Sequence, residues 1–336
     1  MTDDTTDDTI DDTTDDTTDD PTDVRAAPGL GRRAVLALGA GTMLAAALSR
    51  GGTAHAATPG GGAPSEAQPG ALFGQLRELE REHSARLGVF ARDLATGRTL
   101  LYRADERFPL CSVFKTLAAA AVLRDLDRDG EFLARRIRYT EQYVTDSGYG
   151  PVTGRAENLA AGMTVADLCA AAVGDSDNAA GNLLLRELGG PTAITRFCRS
   201  IGDGRTRLDR WEPDLNSAEP WRDTDTTSPR AIGKTYARLI LGDVLPPEDR
   251  TRLTNWLIAN TTNTARFRAG LPADWILADK TGGGNSYGVA NDVGVVWPPD
   301  RSPIVMAVLT TQHAPAGPSD SPLVARTAEL LAAELT

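Results

Sequence analysis

Apolar positions change their rhythm along the chain in a way that divides it into segments. Between Leu72 and Ser84 they recur at helical spacing, at Leu72, Phe73, Leu76 and Leu79, which predicts a first helix. Leu87 to Asp93 and Thr99 to Arg103, separated by Ala95-Thr96-Gly97-Arg98, read as a hairpin. The middle reads as helical throughout, over Ser112–Arg128, Thr164–Ala172, Asp177–Leu188, Pro191–Ile201, Ser228–Leu241 and Pro247–Asn260. Strands return only at Ile276–Thr281, Gly288–Trp297 and Ile304–Thr311, before a closing helix from about Ser319 to Leu335. The expected fold is therefore α/β of the α+β kind. One antiparallel sheet is built from both chain ends and flanked by helices, beside an all-helical lobe, with a cleft between them as the default place for a site. The lobes are expected at about 71–108 with 259–336, and at about 109–258.

What precedes the first helix has a different character. Residues 1–23 are a near-repeat of Asp-Asp-Thr-Thr carrying eleven aspartates, a run that cannot bury a core. Gly31-Arg32-Arg33, the fifteen apolar residues Ala34–Leu48 and Ala54-His55-Ala56 then follow in the order of a secretory signal. The paired arginines suggest the twin-arginine route. The apolar run falls short of the ~20 residues needed to span a bilayer. Residues 1–56 are thus expected to be an acidic extension plus a cleaved leader of an exported protein, extracellular or periplasmic. Residues 57–70, rich in Gly, Pro and Ala, would be a flexible lead-in. An acidic stretch ahead of a signal is unusual, and a start near Val24 would give a basic n-region instead.

Composition narrows the chemistry. The 336 residues hold 35 basic and 46 acidic side chains, a formal charge of -11, which disfavours nucleic acid and anionic membranes as partners. Eleven of the acids and four of the bases lie in residues 1–56, so the rest carries only -4. Three scattered histidines (His55, His83, His313) offer no clustered zinc site, and neither metal nor cofactor is expected. Three cysteines (Cys111, Cys169, Cys198) without a CxxC give no disulfide framework. Lys115, Lys234 and Lys280 are the only lysines beside 32 arginines, and lysine, unlike arginine, can lose its proton at accessible pH.

Two of those lysines stand in motifs. Ser112-Val113-Phe114-Lys115 opens a predicted helix and puts a hydroxyl and an amine on one face, where a lysine of lowered pKa can take the serine's proton. The same pattern also suits an N-cap serine beside a surface lysine. Ser176-Asp177-Asn178 precedes a helix and reads as a capping segment or as a second hydroxyl and an amide facing a cleft. Lys280-Thr281-Gly282 ends a predicted strand, and Gly283-Gly284 after it lets backbone approach a ligand or make a turn.

SxxK, SDN and KTG in this order form the set of class A β-lactamases and penicillin-binding proteins. From Leu72 to the C-terminus the chain resembles the class A serine β-lactamases. Arg210-Trp211-Glu212-Pro213-Asp214-Leu215-Asn216 is similar to the family's omega-loop, whose glutamate and asparagine hold the hydrolytic water. Arg210 and Asp225 match the pair that closes that loop, and the bond before Pro213 is implied to be cis.

The resemblance implies that Ser112 attacks the lactam carbonyl, with Lys115 or Glu212, through water, as the acylation base. It places the oxyanion hole at the backbone N–H of Ser112 and Gly283, and gives Ser176 the proton relay to the leaving nitrogen. Asn178 would hold the substrate's side-chain amide, and Asp177 would brace the loop. Lys280, Thr281 and Gly282 would receive the substrate carboxylate with Arg266, because Tyr287–Val296 lacks the basic residue some relatives place there. Tyr149 matches the aromatic at the cleft mouth. Gly283 lacks a side chain that often touches substrate, and Gly284 excludes the disulfide to Cys111 known in some carbapenem-hydrolysing relatives. Cys169 matches a family cysteine whose usual partner position is Ala119 here, so all three thiols are expected to be free and buried. Substrates would be β-lactams and the protein a monomer without stable membrane association. A penicillin-binding DD-peptidase or transpeptidase and a β-lactam sensor are the competing readings.

Overall fold

The computed structural model describes residues 69–336. The acidic extension, the signal-type segment and all but the last two residues of the lead-in lie outside the described residues. Those last two belong to helix instead: α1 spans Pro69–Glu82, starting ahead of the predicted Leu72 and stopping short of Ser84. Leu72, Leu76 and Leu79 turn inward, whereas Phe73 is exposed and packs edge-on to Tyr102 with ring centroids 4.9 Å apart.

The hairpin forms as β1 (Ala85–Asp93) and β2 (Thr99–Tyr102). Its turn is closed by Asp93, whose carboxylate accepts from Ala95 N at 2.8 Å and Thr96 Oγ1 at 2.9 Å. The middle is mostly helical but not throughout. Between β3 (Phe108–Pro109) and β6 (Thr226–Thr227), and between β4 (Arg136–Ile137) and β5 (Met163–Thr164), two-residue antiparallel pairs tie distant loops together. Such pairs are too short to leave a periodic signal.

The helices of this region are α2 (Phe114–Ala121), α3 (Glu131–Ala134), α4 (Glu141–Ser147), α5 (Ala156–Ala161), α6 (Val165–Gly174), α7 (Asn178–Glu187), α8 (Thr192–Ser200), α9 (Pro229–Ile240) and α10 (Pro247–Ile258). Thr164, Asp177 and Ser228 cap α6, α7 and α9 by accepting from backbone N–H groups three residues on. A short α11 (Phe267–Gly270) leads into β7 (Ile276–Gly284), β8 (Val289–Trp297), β9 (Ile304–Gln312) and α12 (Ser321–Leu335).

The five long strands make one antiparallel sheet in the order β2-β1-β9-β8-β7, so the two chain ends meet at β1 and β9. Its outer face packs on α1, α11 and α12 through Leu76, Phe267, Leu323 and Leu331. Its inner face, through Phe90, Val293, Val305 and Ala307, joins the core of the helical region. There α9 lies directly on the strands, and a Cβ at Gly233 would come within 2.5 Å of the Phe90 ring. Lys234 on this helix is exposed. Among the described residues no helix is long and apolar enough to cross a membrane.

Candidate active site

Every side chain of α2 is buried, as in a helix at the centre of a core. Ser112 sits just ahead of it in a single 3-10 turn, Cys111–Val113, and its hydroxyl caps no backbone N–H. The N-cap reading of this serine therefore fails. Lys115, three residues on, returns over the same turn and is wholly buried. Its Nζ lies 2.9 Å from Ser112 Oγ, 2.7 Å from Ser176 O, 2.6 Å from Asn178 Oδ1 and 3.1 Å from Glu212 Oε1. Burial pushes the Lys115 amine below the usual lysine range, against the opposing pull of Glu212. A neutral amine has two N–H bonds. Ser176 O and Asn178 Oδ1 can only accept them, which leaves the lone pair for Ser112 Oγ.

Asp177 braces the loop that presents Ser176 and Asn178. Fully buried, its carboxylate accepts from Val152 N at 3.0 Å, Thr153 N at 2.8 Å and Ala180 N at 2.9 Å. Ser176 itself is held at φ 58°, in the left-handed region. Asn178 Nδ2 donates to Ser147 O at 3.0 Å, and Asn178 N donates to Tyr149 O at 2.7 Å. That backbone bond brings Tyr149 to the site, with its ring 52% exposed.

The segment from Arg210 to Asn216 closes the site from another side. Its base is fixed by Asp225, which accepts from Arg210 Nε at 2.6 Å and from the backbone N–H of Asp209 and Arg210. The Glu212–Pro213 bond is cis. Glu212 is buried with Oε1 3.4 Å from Ser112 Oγ, while Oε2 accepts from Asn216 Nδ2. Asn216 Oδ1 is buried and has no hydrogen-bond partner among the described residues.

Lys280, Thr281 and Gly282 do not end their strand. Gly283 and Gly284 continue β7 and pair with Ala290 and Val289 of β8, because the ladder supplies partners that the glycines' turn preference does not outweigh. Lys280 is buried, and desolvation, with Lys115 adding to it in its protonated form, lowers its pKa to about 7. Thr281 Oγ1 shares a hydrogen bond with Thr262 Oγ1. Arg266 Nη1 donates to Gly282 O and Asn291 O, both at 2.7 Å. A Cβ at position 283 would lie 2.8 Å from Arg266 Nη2, so the glycine makes room for the guanidinium.

The motif residues thus converge, and Lys234 stands apart on α9. Sequence reading missed Asn182, whose Nδ2 donates to Glu212 O and whose Oδ1 accepts from Glu212 N, both at 3.0 Å. Its signal was present, since Asn182 lies one helical turn beyond Asn178 on an otherwise apolar face.

Comparison with known proteins decides what this constellation belongs to. Residues 71–335 match the model of the "Beta-lactamase enzyme family". A β-lactamase of Streptomyces lavendulae is 74% identical over 261 residues, 78% of this chain and 85% of the relative. One from Streptomyces fradiae is 65% identical over 91% of this chain and 97% of its own. The solved β-lactamase of Streptomyces albus G superposes with a TM-score of 0.78 at 61% identity, covering 79% of this chain and all of that one. A reconstructed ancestral class A β-lactamase of Gram-negative bacteria gives 0.73 at 52%, covering 78% and 98%.

The chain belongs to the class A β-lactamases.

In this class A β-lactamase a polar cavity of about 420 Å³ opens beside the reactive cluster. It lies between Asp214, Asn216 and Ser217 on one wall and Asn285 and Ser286 on the other. A second cavity, of about 430 Å³, lies behind the Arg210–Asp225 segment against Phe108 and Gln312, away from Ser112. Cys111, Cys169 and Cys198 are free and buried, and burial pushes their thiols far above the usual range.

Proposed function

We propose that this β-lactamase opens the lactam amide of β-lactam antibiotics through an acyl-enzyme on Ser112, and so gives resistance to them. One observation carries the reading: a buried amine and a buried carboxylate converge on one serine, and the carboxylate is joined to an asparagine with a free buried acceptor. Ser112 Oγ attacks the carbonyl carbon while Lys115 Nζ, at 2.9 Å the nearer base, takes its proton. The developing oxyanion is met by the backbone N–H of Ser112 and Gly283. The C–N bond then breaks as Ser176 passes its proton to the departing nitrogen and takes the one held by Lys115.

A water held by Glu212 and Asn216 next gives its proton to Glu212 and attacks the ester carbon. The C–O bond breaks and the proton returns to Ser112 Oγ. Lys280, Thr281 and Arg266, beside Gly282, receive the substrate carboxylate, Asn178 holds the side-chain amide, and Tyr149 borders the mouth. Asp177, Arg210, Asp225 and Pro213 keep these parts in place. A β-lactam leaves a DD-peptidase or sensor trapped as a long-lived acyl-enzyme, and the Glu212–Asn216 pair beside Ser112 speaks for rapid hydrolysis instead, since a positioned base contributes ~10²–10⁴ in rate. Export of a monomer through a twin-arginine leader is part of the same proposal. It is supported by Arg32-Arg33, the short apolar run and Ala54-His55-Ala56.

The test is Glu212→Ala mixed with a penicillin. Mass spectrometry should find the intact penicillin mass added to the Ser112 peptide while turnover collapses. Unchanged turnover would remove Glu212 from the mechanism, and no adduct in an inactive variant would remove Ser112 as the acylated residue.

A further inference from the structure

Two acids lie where the mechanism uses none. Asp279 on β7 and Asp292 on β8 are both wholly buried, one diagonal step apart in the ladder, since Asp279 is opposite Gly294 and Asp292 opposite Thr281. By strand alternation they share the sheet face of Leu277, Ala290 and Val296, the apolar face covered by α11 and α12. Gly294 makes the space, because a Cβ there would lie 2.7 Å from Asp279 Cβ.

Their partners are unequal. Asp279 accepts from Asn263 Nδ2 at 2.7 Å and Asn260 Nδ2 at 3.1 Å. Asp292 Oδ2 accepts from Phe267 N at 3.0 Å, but Asp292 Oδ1 is buried with no hydrogen-bond partner among the described residues. The charged groups around the pair are Arg266 from the preceding turn and Lys280 from β7. Two carboxylates side by side in an apolar layer cannot both remain ionised, and the acid with the orphan oxygen is the one that gains by carrying a proton.

We infer that Asp292 is a neutral carboxylic acid whose Oδ1–H donates to Asp279, and that this single-proton pair is the positioning device for Arg266. The segment Asn260–Phe267 is pinned to it at Asn260, Asn263 and Phe267, and Arg266 lies inside that span, its N donating to Asn263 O at 2.8 Å. Burial beside Asp279 pushes the Asp292 carboxyl well above the usual range, in keeping with this assignment. The consequence for substrate rests on the proposed role of Arg266 at the substrate carboxylate.

The test compares Asp292→Asn, whose amide N–H replaces the acid's O–H, with Asp292→Ala and Asp279→Asn, alongside infrared spectra of the intact enzyme. At neutral pH the wild type should show the C=O stretch of an unionised carboxylic acid, and Asp292→Asn should lose it. KM for benzylpenicillin should stay within about threefold in Asp292→Asn and rise about tenfold or more in Asp292→Ala and Asp279→Asn, with kcat less affected. Absence of that band in the wild type overturns the inference, even if Asp279→Asn fails to fold. So does an Asp292→Asn variant as impaired as Asp292→Ala. If Arg266→Ala leaves KM unchanged, the substrate role of Arg266 falls while the infrared assignment stands.

Discussion

Asn182 holds Glu212 by both polar groups of its peptide backbone, donating to the carbonyl and accepting from the amide at 3.0 Å each. The proposed general base is therefore aimed from α7, the helix that also begins with Asn178, and not by its own loop alone. Replacing Asn182 with Ala orphans two buried backbone groups, at a cost of about 1–3 kcal/mol each. Misplacement of Glu212 should lower kcat on the order of 10²-fold. Thermal unfolding and steady-state kinetics on penicillin would check both, and a variant with wild-type kcat would show that the loop positions Glu212 unaided.

Lys280 gives a pH signature. Burial and the neighbouring Lys115 favour its neutral form, with a pKa of about 7, so its charge is present below that pH and lost above it. In its proposed role Lys280 binds the substrate carboxylate in the charged form, and kcat/KM reports the free enzyme. Hence kcat/KM should decline as pH rises through about 7, mainly through a rising KM. A profile that stays flat into the alkaline range would separate Lys280 from anion binding.

Asp225 is the anchor of the Arg210–Asn216 segment. Asp225→Ala strands the backbone N–H groups of Asp209 and Arg210 and removes the nearer carboxylate partner of Arg210, which keeps Glu219 at 3.4 Å and, at 26% exposed, some water. A loss of roughly 1–3 kcal/mol is expected in urea denaturation. Limited proteolysis should also cut between residues 209 and 225 sooner than in the wild type. If stability and cleavage both stay unchanged, the closing role belongs elsewhere.

The three thiols make a simpler case. Buried and held in the protonated form, Cys111, Cys169 and Cys198 should not react with Ellman's reagent in the native enzyme. All three should react in denaturant. Rapid labelling of any native thiol would contradict this packing.

The site was largely legible because its chemistry lies in short local motifs. SxxK spans one turn, SDN is also a helix cap, and Glu212 and Asn216 sit four apart, so spacing already fixes proximity. Asn182 was only half legible: its place one turn beyond Asn178 marks it, but its partner lies 30 residues away and only the fold brings them together. The run of glycines after Lys280 reads as a turn by local preference, and the β8 ladder overrides it. In the fold, the long strands and amphipathic helices were plain, while the two-residue pairs β3–β6 and β4–β5 fix loops without any periodicity to announce them. Arg266 came from resemblance alone, and no local pattern pointed to the buried acids behind it.

The distribution of lysines has a practical side. Two of the three amines are sealed against Ser112 and within β7, and Lys234 alone faces water on α9. An amine-directed dye or resin, used gently on the native enzyme, therefore finds Lys234 and the chain's own α-amine and nothing in the reactive cluster. The enzyme thus comes with one built-in lysine handle, on α9 and away from the reactive cluster.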